Sequence, residues 1–282
     1  MPGLRSRFSD LLKRVVSAVF LVLAVVLLMW WGDLPFLVGM TVIIIAGLWE
    51  YYSVLREHGR PAAAFLALPV GAALPVISFF LKKTPQDLSP LLAVLLGFLA
   101  LTFLYFIVRP EGGLAAEGAA LTLLGVVLVS MTLSHFVLML RLDGEISWTA
   151  PFTVIVMVWV YDAVAYFAGS AFGRHKMSPH VSPNKSWEGL AAGTAAAFVA
   201  AYLLKVAVSR PWLDYPTAFI LAAIVVVAAP LGDLSESLIK RELQVKDMSD
   251  LIPGHGGVLD RFDSMLFTAV ASYYFLRLII RS

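Results

Sequence analysis

The chain alternates between long apolar runs and short polar connections. A helix needs about 20 apolar residues to cross the core of a bilayer, and nine runs have roughly that length. They cover residues 15–31, 35–55, 62–81, 89–108, 119–141, 149–170, 188–208, 215–238 and 263–280. This pattern predicts an all-α integral membrane protein, a polytopic bundle of about nine transmembrane helices.

Several runs have features of their own. The run 15–31 follows a basic segment and ends in two tryptophans rather than in a small-residue cleavage site, so we expect a retained span and not a signal peptide. Pro69 and Pro75 predict a kink in the third run. The third, seventh and eighth runs are rich in alanine and could instead be helices buried inside the bundle.

Composition agrees with a membrane protein. The chain has 60% apolar and 14% charged residues, whereas a soluble domain has about 45–50% and about 25%. A net charge of +2 without a long basic run argues against a nucleic-acid partner. The absence of cysteine excludes disulfides, thiolate catalysis and cysteine-based metal sites.

The distribution of basic residues predicts the orientation. With nine spans and a cytoplasmic N-terminus, about two-thirds of the 21 Lys and Arg residues fall on the cytoplasmic side, as the positive-inside rule requires. This orientation places the C-terminus outside. It also places the polar segments 171–187 and 239–262 at the cytoplasmic face.

Charged residues are concentrated in the second half of the chain. Residues 161–189 and 231–264 contain nine of the 19 acidic residues. We therefore expect residues 1–150 to form five spans that serve as scaffold, dimer surface and lipid-facing surface. Residues 151–282 are expected to form a catalytic region of four spans with two cytoplasmic polar loops.

Several carboxylates lie inside apolar runs. A charge at the bilayer centre costs at least about 2.5–3.5 kcal/mol and usually indicates function or a polar cavity. Asp162 and Asp233 are the sharpest cases. The alternative is that both lie near the cytoplasmic ends of their helices and reach water.

Helical spacing groups further residues with these two carboxylates. Asp233, Ser237, Lys240 and Arg241 share one face of a helix. Asp162, Tyr166, Gly169 and Gly173 share another. Those two glycines would let a ligand approach closely, although a packing interface of small residues between helices explains them equally well.

The segment 253–257, Pro-Gly-His-Gly-Gly, cannot continue a helix. Such a turn can direct backbone N–H groups at an anion. The basic residues around it, which suit a polyphosphate, are Lys240, Arg241, Lys246 and Arg261. Asp247, Asp260 and Asp263 offer oxygen ligands. Aspartates without a Cys–His pattern favour Mg²⁺ and phosphate over zinc.

A second polar segment, residues 182–189, combines hydroxyls, a lysine and a carboxylate before the seventh span. Ser186 or Asn184 could cap that helix, whose N-terminus would then favour an anion. The alternative is an ordinary cap beside a snorkelling Lys185. Together the two segments indicate phosphoryl or nucleotidyl transfer at a cytoplasmic membrane surface.

Residues 237–263, SLIKRELQVKDMSDLIPGHGGVLDRFD, resemble the signature of the phosphatidate cytidylyltransferases, also called CDP-diacylglycerol synthases. The matching positions are Ser237, Lys240, Arg241, Lys246, Asp247, Pro253, His255, Gly256, Gly257, Asp260, Arg261 and Asp263. The segment 182–189 and the Asp162 helix are also similar to this family. The resemblance covers residues 155–280, while the first five spans resemble the family only in hydropathy and order.

The resemblance implies an enzyme that joins CTP and phosphatidic acid to form CDP-diacylglycerol and pyrophosphate. It implies Mg²⁺, with a second, monovalent cation such as K⁺, and a homodimer in the plasma (inner) membrane. The expected catalytic residues are Asp233, Lys240, Arg241, Asp247, His255, Asp260 and Arg261. His255 would donate to a phosphate oxygen or orient an aspartate.

The expected substrate-binding residues are Ser182, Asn184, Lys185, Ser186, Ser237, Lys246, Gly256 and Gly257. The expected metal ligands are Asp162, Asp233, Asp247, Asp260 and Asp263.

Three other functions are the alternatives. A CTP-dependent lipid kinase would release CDP instead of pyrophosphate. A transporter of an anionic solute should have matched halves with charges near the midplane, and a structural subunit leaves the charged segments unexplained.

Overall fold

The computed structural model describes residues 23–81, 88–110, 113–142, 146, 148–252 and 256–281. Helices account for most of this part of the chain. Residues 23–31 are helical and precede the first complete helix. The complete elements are α1 (Asp33–Glu57), α2 (Ala64–Phe80), α3 (Ser89–Val108), α4 (Ala115–Gly125), a π-helical segment (Val126–Met131), α5 (Thr132–Met139), α6 (Thr149–Phe172), β1 (Lys176–Ser178), β2 (Ser182–Ser186), α7 (Trp187–Val208), α8 (Tyr215–Glu242), α9 (Leu259–Phe262) and α10 (Met265–Arg281).

Six helical segments of the described chain are long and apolar enough to cross a membrane. They are Asp33–Glu57, Ser89–Val108, Ala115–Met139, Thr149–Phe172, Trp187–Val208 and Tyr215–Glu242. Helices α2 and α10 are also apolar but shorter. Residues 15–22 of the first predicted span lie outside the described residues. A polytopic helical membrane protein is confirmed, while the count of nine spans and the cytoplasmic N-terminus stay predictions.

The helices begin and end close to the limits of the apolar runs. Helix α2 contains both predicted prolines, Pro69 and Pro75. Helix α8 begins after Asp214, whose Oδ1 accepts a hydrogen bond from the Thr217 amide at 2.9 Å. A hydrogen bond from the Thr217 side chain and this bond from its amide stabilise the carboxylate, and they lower the pKa of Asp214 below its usual value. Local sequence thus stabilises the start of α8.

A short antiparallel hairpin is a departure from the all-helical expectation. Strands β1 and β2 pair Lys176 with Ser186 and Ser178 with Ser182. The Trp187 amide also donates to the His175 carbonyl at 2.9 Å. The hairpin connects α6 to α7 within the predicted polar segment 171–187. Its five-residue second strand gives Lys185 and Ser186 a defined backbone direction.

The structure divides into two compact units. The first contains the described residues within Met1–Ile77, Leu88–Met131 and Leu243–Phe262. The second contains those within Ser78–Asp87, Thr132–Glu242 and Asp263–Ser282. The functional division at residue 150 is a separate prediction and stays one.

In the first unit, helix α1 packs against α4 and the π-helical segment. The hydroxyl of Tyr51 donates to the Leu121 carbonyl at 3.2 Å, and that of Tyr52 donates to the Thr122 carbonyl at 2.6 Å. A Cβ atom at Gly125 would lie 2.5 Å from the Tyr52 hydroxyl. The absence of a side chain there lets both tyrosines reach the α4 carbonyls, which sets the rotation of α1.

In the second unit, α6 and α7 approach closely through glycines. A Cβ atom at Gly189 would lie 2.7 Å from the Ala165 carbonyl oxygen and 3.2 Å from the Gly169 Cα. At Gly173 it would lie 2.6 Å from Ser186 Oγ. Gly169 and Gly173 therefore serve helix packing, as one of the two interpretations held. Tyr166, on the face predicted for them, is 64% exposed.

Candidate active site

The glycine-rich segment of the first unit is held by a carboxylate from a distant helix. Glu50 of α1 is fully buried. Its Oε1 accepts from the Ser249 hydroxyl at 2.6 Å and from the Val258 amide at 2.8 Å. Its Oε2 accepts from the Leu259 amide at 2.8 Å. Both ends of segment 249–259 are thus attached to one side chain.

Asp260, which directly follows this segment, also binds its backbone. Its Oδ2 accepts from the Gly257 amide at 2.7 Å and from the Met248 amide at 2.9 Å. The Ile252 amide donates to the Gly256 carbonyl at 2.9 Å. Three consecutive amides, those of residues 257–259, therefore donate to carboxylates of the protein itself. These bonds fix the backbone of residues 256–259.

Steric contacts explain why the two residues at the end of this turn, Gly256 and Gly257, are glycines. Gly256 has φ of 80°, a conformation that residues with a Cβ rarely adopt. A Cβ atom there would lie 3.0 Å from Asp260 Oδ2 and 3.2 Å from the Asp247 Cβ. At Gly257 it would lie 2.7 Å from Glu50 Oε2. The turn thus passes directly against three carboxylate side chains.

The remaining predicted residues of this segment lie at its surface. Lys246, Asp247 and Arg261 are exposed, so they can reach a ligand without unpacking the protein. Pro253 and His255 lie outside the described residues.

In the second unit, an ion pair joins the hairpin to α8. Lys185 Nζ lies 2.8 Å from Asp233 Oδ2 and donates to the Pro230 carbonyl at 3.3 Å. Asp233 Oδ1 accepts from the Ser237 hydroxyl at 3.1 Å. The sequence placed Asp233 and Ser237 on one helical face, and this hydrogen bond agrees with that placement.

The end of the same helix has two differently arranged cations. Lys240 Nζ lies 2.9 Å from Glu236 Oε2, and both side chains are buried. Arg241 is exposed, and its Nε donates to the Val181 carbonyl of the hairpin turn at 3.1 Å. Lys240 is therefore oriented by a carboxylate and Arg241 by backbone.

Asp162 and Asp263 lie near Asp233 in this unit. The Ser264 hydroxyl donates to Asp162 Oδ1 at 3.2 Å, and the Ser264 amide donates to Asp263 Oδ1 at 2.6 Å. A Cβ atom at Gly232 would collide with the Asp263 carbonyl oxygen. The three carboxylates are close enough to repel one another electrostatically. Helices α6 and α8 and the residues before α10 thus converge on one acidic cluster.

The hairpin places the predicted residues of segment 182–189 in different environments. Ser186 is the N-cap of α7, and its Oγ accepts from the Gly189 amide at 3.1 Å. Of the two predicted capping residues, the structure thus has Ser186. Ser182 is half-buried, whereas Asn184 is exposed. Ser186 is buried by the packing of α6 and α7, and its hydroxyl stabilises the start of α7.

The acidic cluster is an incomplete metal site by itself. Within the described part of the chain, no three His, Asp or Glu side chains are arranged so that they could hold a metal ion together. Mg²⁺ usually takes only one or two protein carboxylates and completes its shell with water and substrate phosphates. The donor chemistry therefore fits magnesium that binds together with a phosphate substrate.

Two carboxylates of these clusters were not singled out from the sequence. Glu50 lies within the predicted span 35–55, so the rule applied to Asp162 and Asp233 also applied to it. Glu236 lies one helical turn before Lys240. What the sequence could not indicate is that Glu50 pairs with residues about 200 positions later.

Sequence comparisons cover almost the whole chain. The sequence model of the cytidylyltransferase family matches residues 12–279. A phosphatidate cytidylyltransferase of Bacillus subtilis (strain 168) is 30% identical over 95% of this chain and 98% of its own length. One of Haemophilus influenzae is 35% identical over 93% of this chain and 96% of its own. One of Brucella abortus is 34% identical over 95% and 93%. With a match of this extent, the chain belongs to the cytidylyltransferase family.

Proposed function

We propose that this protein is a membrane-integral phosphatidate cytidylyltransferase. It would transfer the cytidylyl group of CTP to phosphatidic acid and release pyrophosphate. The relatives named for this activity align over more than nine-tenths of their own length. The observation that supports the proposal best is the ion pair of Lys185 with Asp233, because it joins segment 182–189 to the helix that leads into segment 237–263, and the family resemblance lies in these two segments.

The reaction needs little covalent help from the protein. A phosphate oxygen of phosphatidic acid attacks the α-phosphorus of CTP, and the bond from that phosphorus to the bridging oxygen of the β-phosphate breaks. The electron pair leaves with pyrophosphate. The attacking oxygen is already an anion at neutral pH, so no strong general base is required. Positioning and charge neutralisation therefore dominate the catalysis.

The basic side chains predicted from the sequence would neutralise the phosphates. In the second unit these are Lys185, Lys240 and Arg241. Lys246 and Arg261 of the first unit are exposed at the surface of their segment. Asp233 and Glu236 orient Lys185 and Lys240 before substrate arrives, since each pair is within 3 Å. Preoriented cations do not need to reorganise when charge develops on the leaving group.

Magnesium fits the proposed site through its carboxylates. On the family resemblance, the residues that would hold it are Asp162, Asp233, Asp247, Asp260 and Asp263. When bound, it supplies positive charge at the phosphate oxygens and so favours attack at phosphorus. A monovalent cation such as K⁺ is proposed on the family resemblance alone.

We place the site at the cytoplasmic face of the plasma (inner) membrane. The excess of Lys and Arg on that side supports the orientation, and CTP is a cytosolic nucleotide. Phosphatidic acid would enter from the bilayer, since many large apolar side chains of the helices are exposed. A homodimer is proposed on the resemblance to the family.

The test uses the full chain purified in detergent with phosphatidic acid and Mg²⁺. CTP labelled at the α-phosphorus should transfer its label to the lipid, with one pyrophosphate released per lipid modified. CTP labelled at the γ-phosphorus should leave the lipid unlabelled. Label from the γ-position in the lipid, with CDP released, would instead identify a lipid kinase. Absence of transfer from both labelled nucleotides would contradict the proposal.

A further inference from the structure

Glu50 is a buried carboxylate that the proposed reaction does not use. It lies within helix α1, one of the segments able to span a membrane, and none of its surface is exposed. A buried charged group is costly unless hydrogen bonds replace its lost hydration. Glu50 can therefore remain ionised there only if a set of hydrogen-bond donors surrounds it. A charged residue at such a costly position also suggests a function that a neutral side chain would not fulfil.

The donors of that set all belong to one segment of the chain. They are the Ser249 hydroxyl and the backbone amides of Val258 and Leu259, at 2.6, 2.8 and 2.8 Å. Hydrogen bonds to an ionised acceptor are roughly twice as strong as those between neutral groups. One carboxylate thus holds the beginning and the end of segment 249–259.

The glycine turn is shaped around this carboxylate. Any Cβ atom at Gly257 would lie 2.7 to 2.9 Å from the carboxylate atoms of Glu50. Gly257 therefore lets the backbone pass against Glu50. The adjacent Asp260 Oδ2 accepts from the Gly257 amide at 2.7 Å. The position of Asp260 is consequently linked to that of Glu50 through one residue of backbone.

Helix α1 holds Glu50 in place. The next two residues, Tyr51 and Tyr52, are buried, and their hydroxyls bond to carbonyls of α4. Gly47, one turn earlier, packs against Val129 and Leu259. The carboxylate is therefore presented by a backbone that cannot rotate without breaking these contacts.

We infer that Glu50 is a positioning residue for cytidylyl transfer. It holds Ser249, Val258 and Leu259 where they present Asp260 and the neighbouring polar residues, and it does not contact substrate itself. This inference rests on the proposed function. Its structural part, the attachment of the segment by Glu50, can be measured without any substrate.

The test compares Glu50→Gln with Glu57→Gln. Gln has nearly the size of Glu, but it lacks the charge and one of the two acceptor oxygens. Glu57 is an exposed carboxylate at the end of the same helix. In the full chain in detergent, Glu50→Gln should increase amide hydrogen exchange of residues 249–259 by about tenfold or more. Exchange in the helices of the second unit should be unchanged, and Glu57→Gln should resemble the wild type throughout.

The kinetic expectation follows from displacement of the segment. For Glu50→Gln, kcat/KM for CTP should fall by about 10- to 100-fold, as small displacements of positioning groups cause. The KM for phosphatidic acid should stay within twofold of the wild type. Loss of folded enzyme alone would leave both KM values unchanged and would raise exchange throughout the chain, so these readouts separate positioning from general stability.

Ser249→Ala provides an independent variant, since it removes one of the three bonds and leaves both amide bonds intact. It should produce smaller changes in local exchange and in kcat/KM for CTP than Glu50→Gln. It also tests the inference if Glu50→Gln does not fold. If Glu50→Gln folds, unchanged local exchange or unchanged kcat/KM for CTP in that variant would overturn the inference. If Glu50→Gln does not fold, a Ser249→Ala variant identical to the wild type in both measurements would overturn it. A wild-type protein without cytidylyl transfer would instead overturn the proposed function.

Discussion

The Lys185 ammonium lies 2.8 Å from the Asp233 carboxylate. The pair connects strand β2 to the middle of helix α8, and both side chains are largely shielded from water, with 19% and 30% of their surfaces exposed. Two segments that are separate along the chain thereby place a cation and an anion together. A phosphate that approaches Lys185 therefore also approaches Asp233, which suits a site for phosphate and a divalent cation.

Replacing Lys185 should impair catalysis far more than stability. We expect Lys185→Met to lower kcat/KM for CTP by about 100- to 1,000-fold, the usual cost of one preoriented charge-stabilising group. The matched control is Lys205→Met in the last turn of the following helix, which should retain near-normal kinetics. Steady-state assays with the labelled nucleotide measure both. A Lys185→Met enzyme within threefold of the wild type would remove this residue from the site.

The pair can also be examined by a double-mutant cycle. Asp233→Asn should lower kcat/KM strongly by itself. Because Lys185 and Asp233 are in direct contact, the double variant should be much less impaired than the product of the single effects predicts. Additive effects would mean that the two residues act independently.

Asp260→Asn separates the charge of Asp260 from its hydrogen bonds. Asn retains an oxygen that can accept from the Met248 and Gly257 amides, so the segment should keep its shape. Turnover should fall by roughly 1,000-fold if the carboxylate holds magnesium, because metal stabilisation of phosphoryl charge amounts to several kcal/mol. Asp250→Asn, exposed in the same segment, is the control. Near-normal turnover in folded Asp260→Asn would contradict the ligand assignment.

The buried pair Glu236–Lys240 should matter for stability as well. Removing one partner of a buried pair typically costs about 3–5 kcal/mol, since the other charge loses its compensation. Glu236→Gln should therefore lower the thermal unfolding temperature in detergent clearly. Adding Lys240→Met should recover much of that stability but not the turnover, because the cation is then missing. Recovery of both by the double variant would show that Lys240 has no part in the reaction.

Two glycine substitutions should have opposite effects on stability. Gly189→Ala places a Cβ 2.7 Å from a backbone carbonyl, and such overpacking costs about 1–3 kcal/mol or more. Gly97 lies within α3 with nothing within 4 Å of its Cβ position. Gly97→Ala should stabilise the helix by up to about 1 kcal/mol. Thermal unfolding of both variants in the same detergent tests the comparison, and equal midpoints would contradict the tight packing of α6 against α7.

Much of the fold was predictable from the sequence because membrane helices are determined locally. Apolar runs of sufficient length give helices whose limits lie within a few residues of the prediction, as for Ser89–Val108 and Thr149–Phe172. Capping is equally local, and Ser186 was one of two candidates for its helix. The hairpin 176–186 was not predicted, since its strands are short and polar and receive their pairing from each other.

The candidate site was only partly predictable, for a physical reason. The residue types and their helical spacing identified Asp162, Lys185, Asp233 and the glycine turn as chemistry-bearing elements, because charges and glycines in an apolar chain are costly and need an explanation. Their partners depend on how distant helices pack. The tertiary structure decided that Lys185 faces Asp233, that Gly169 and Gly173 serve packing, and that Glu50 holds a segment about 200 residues away.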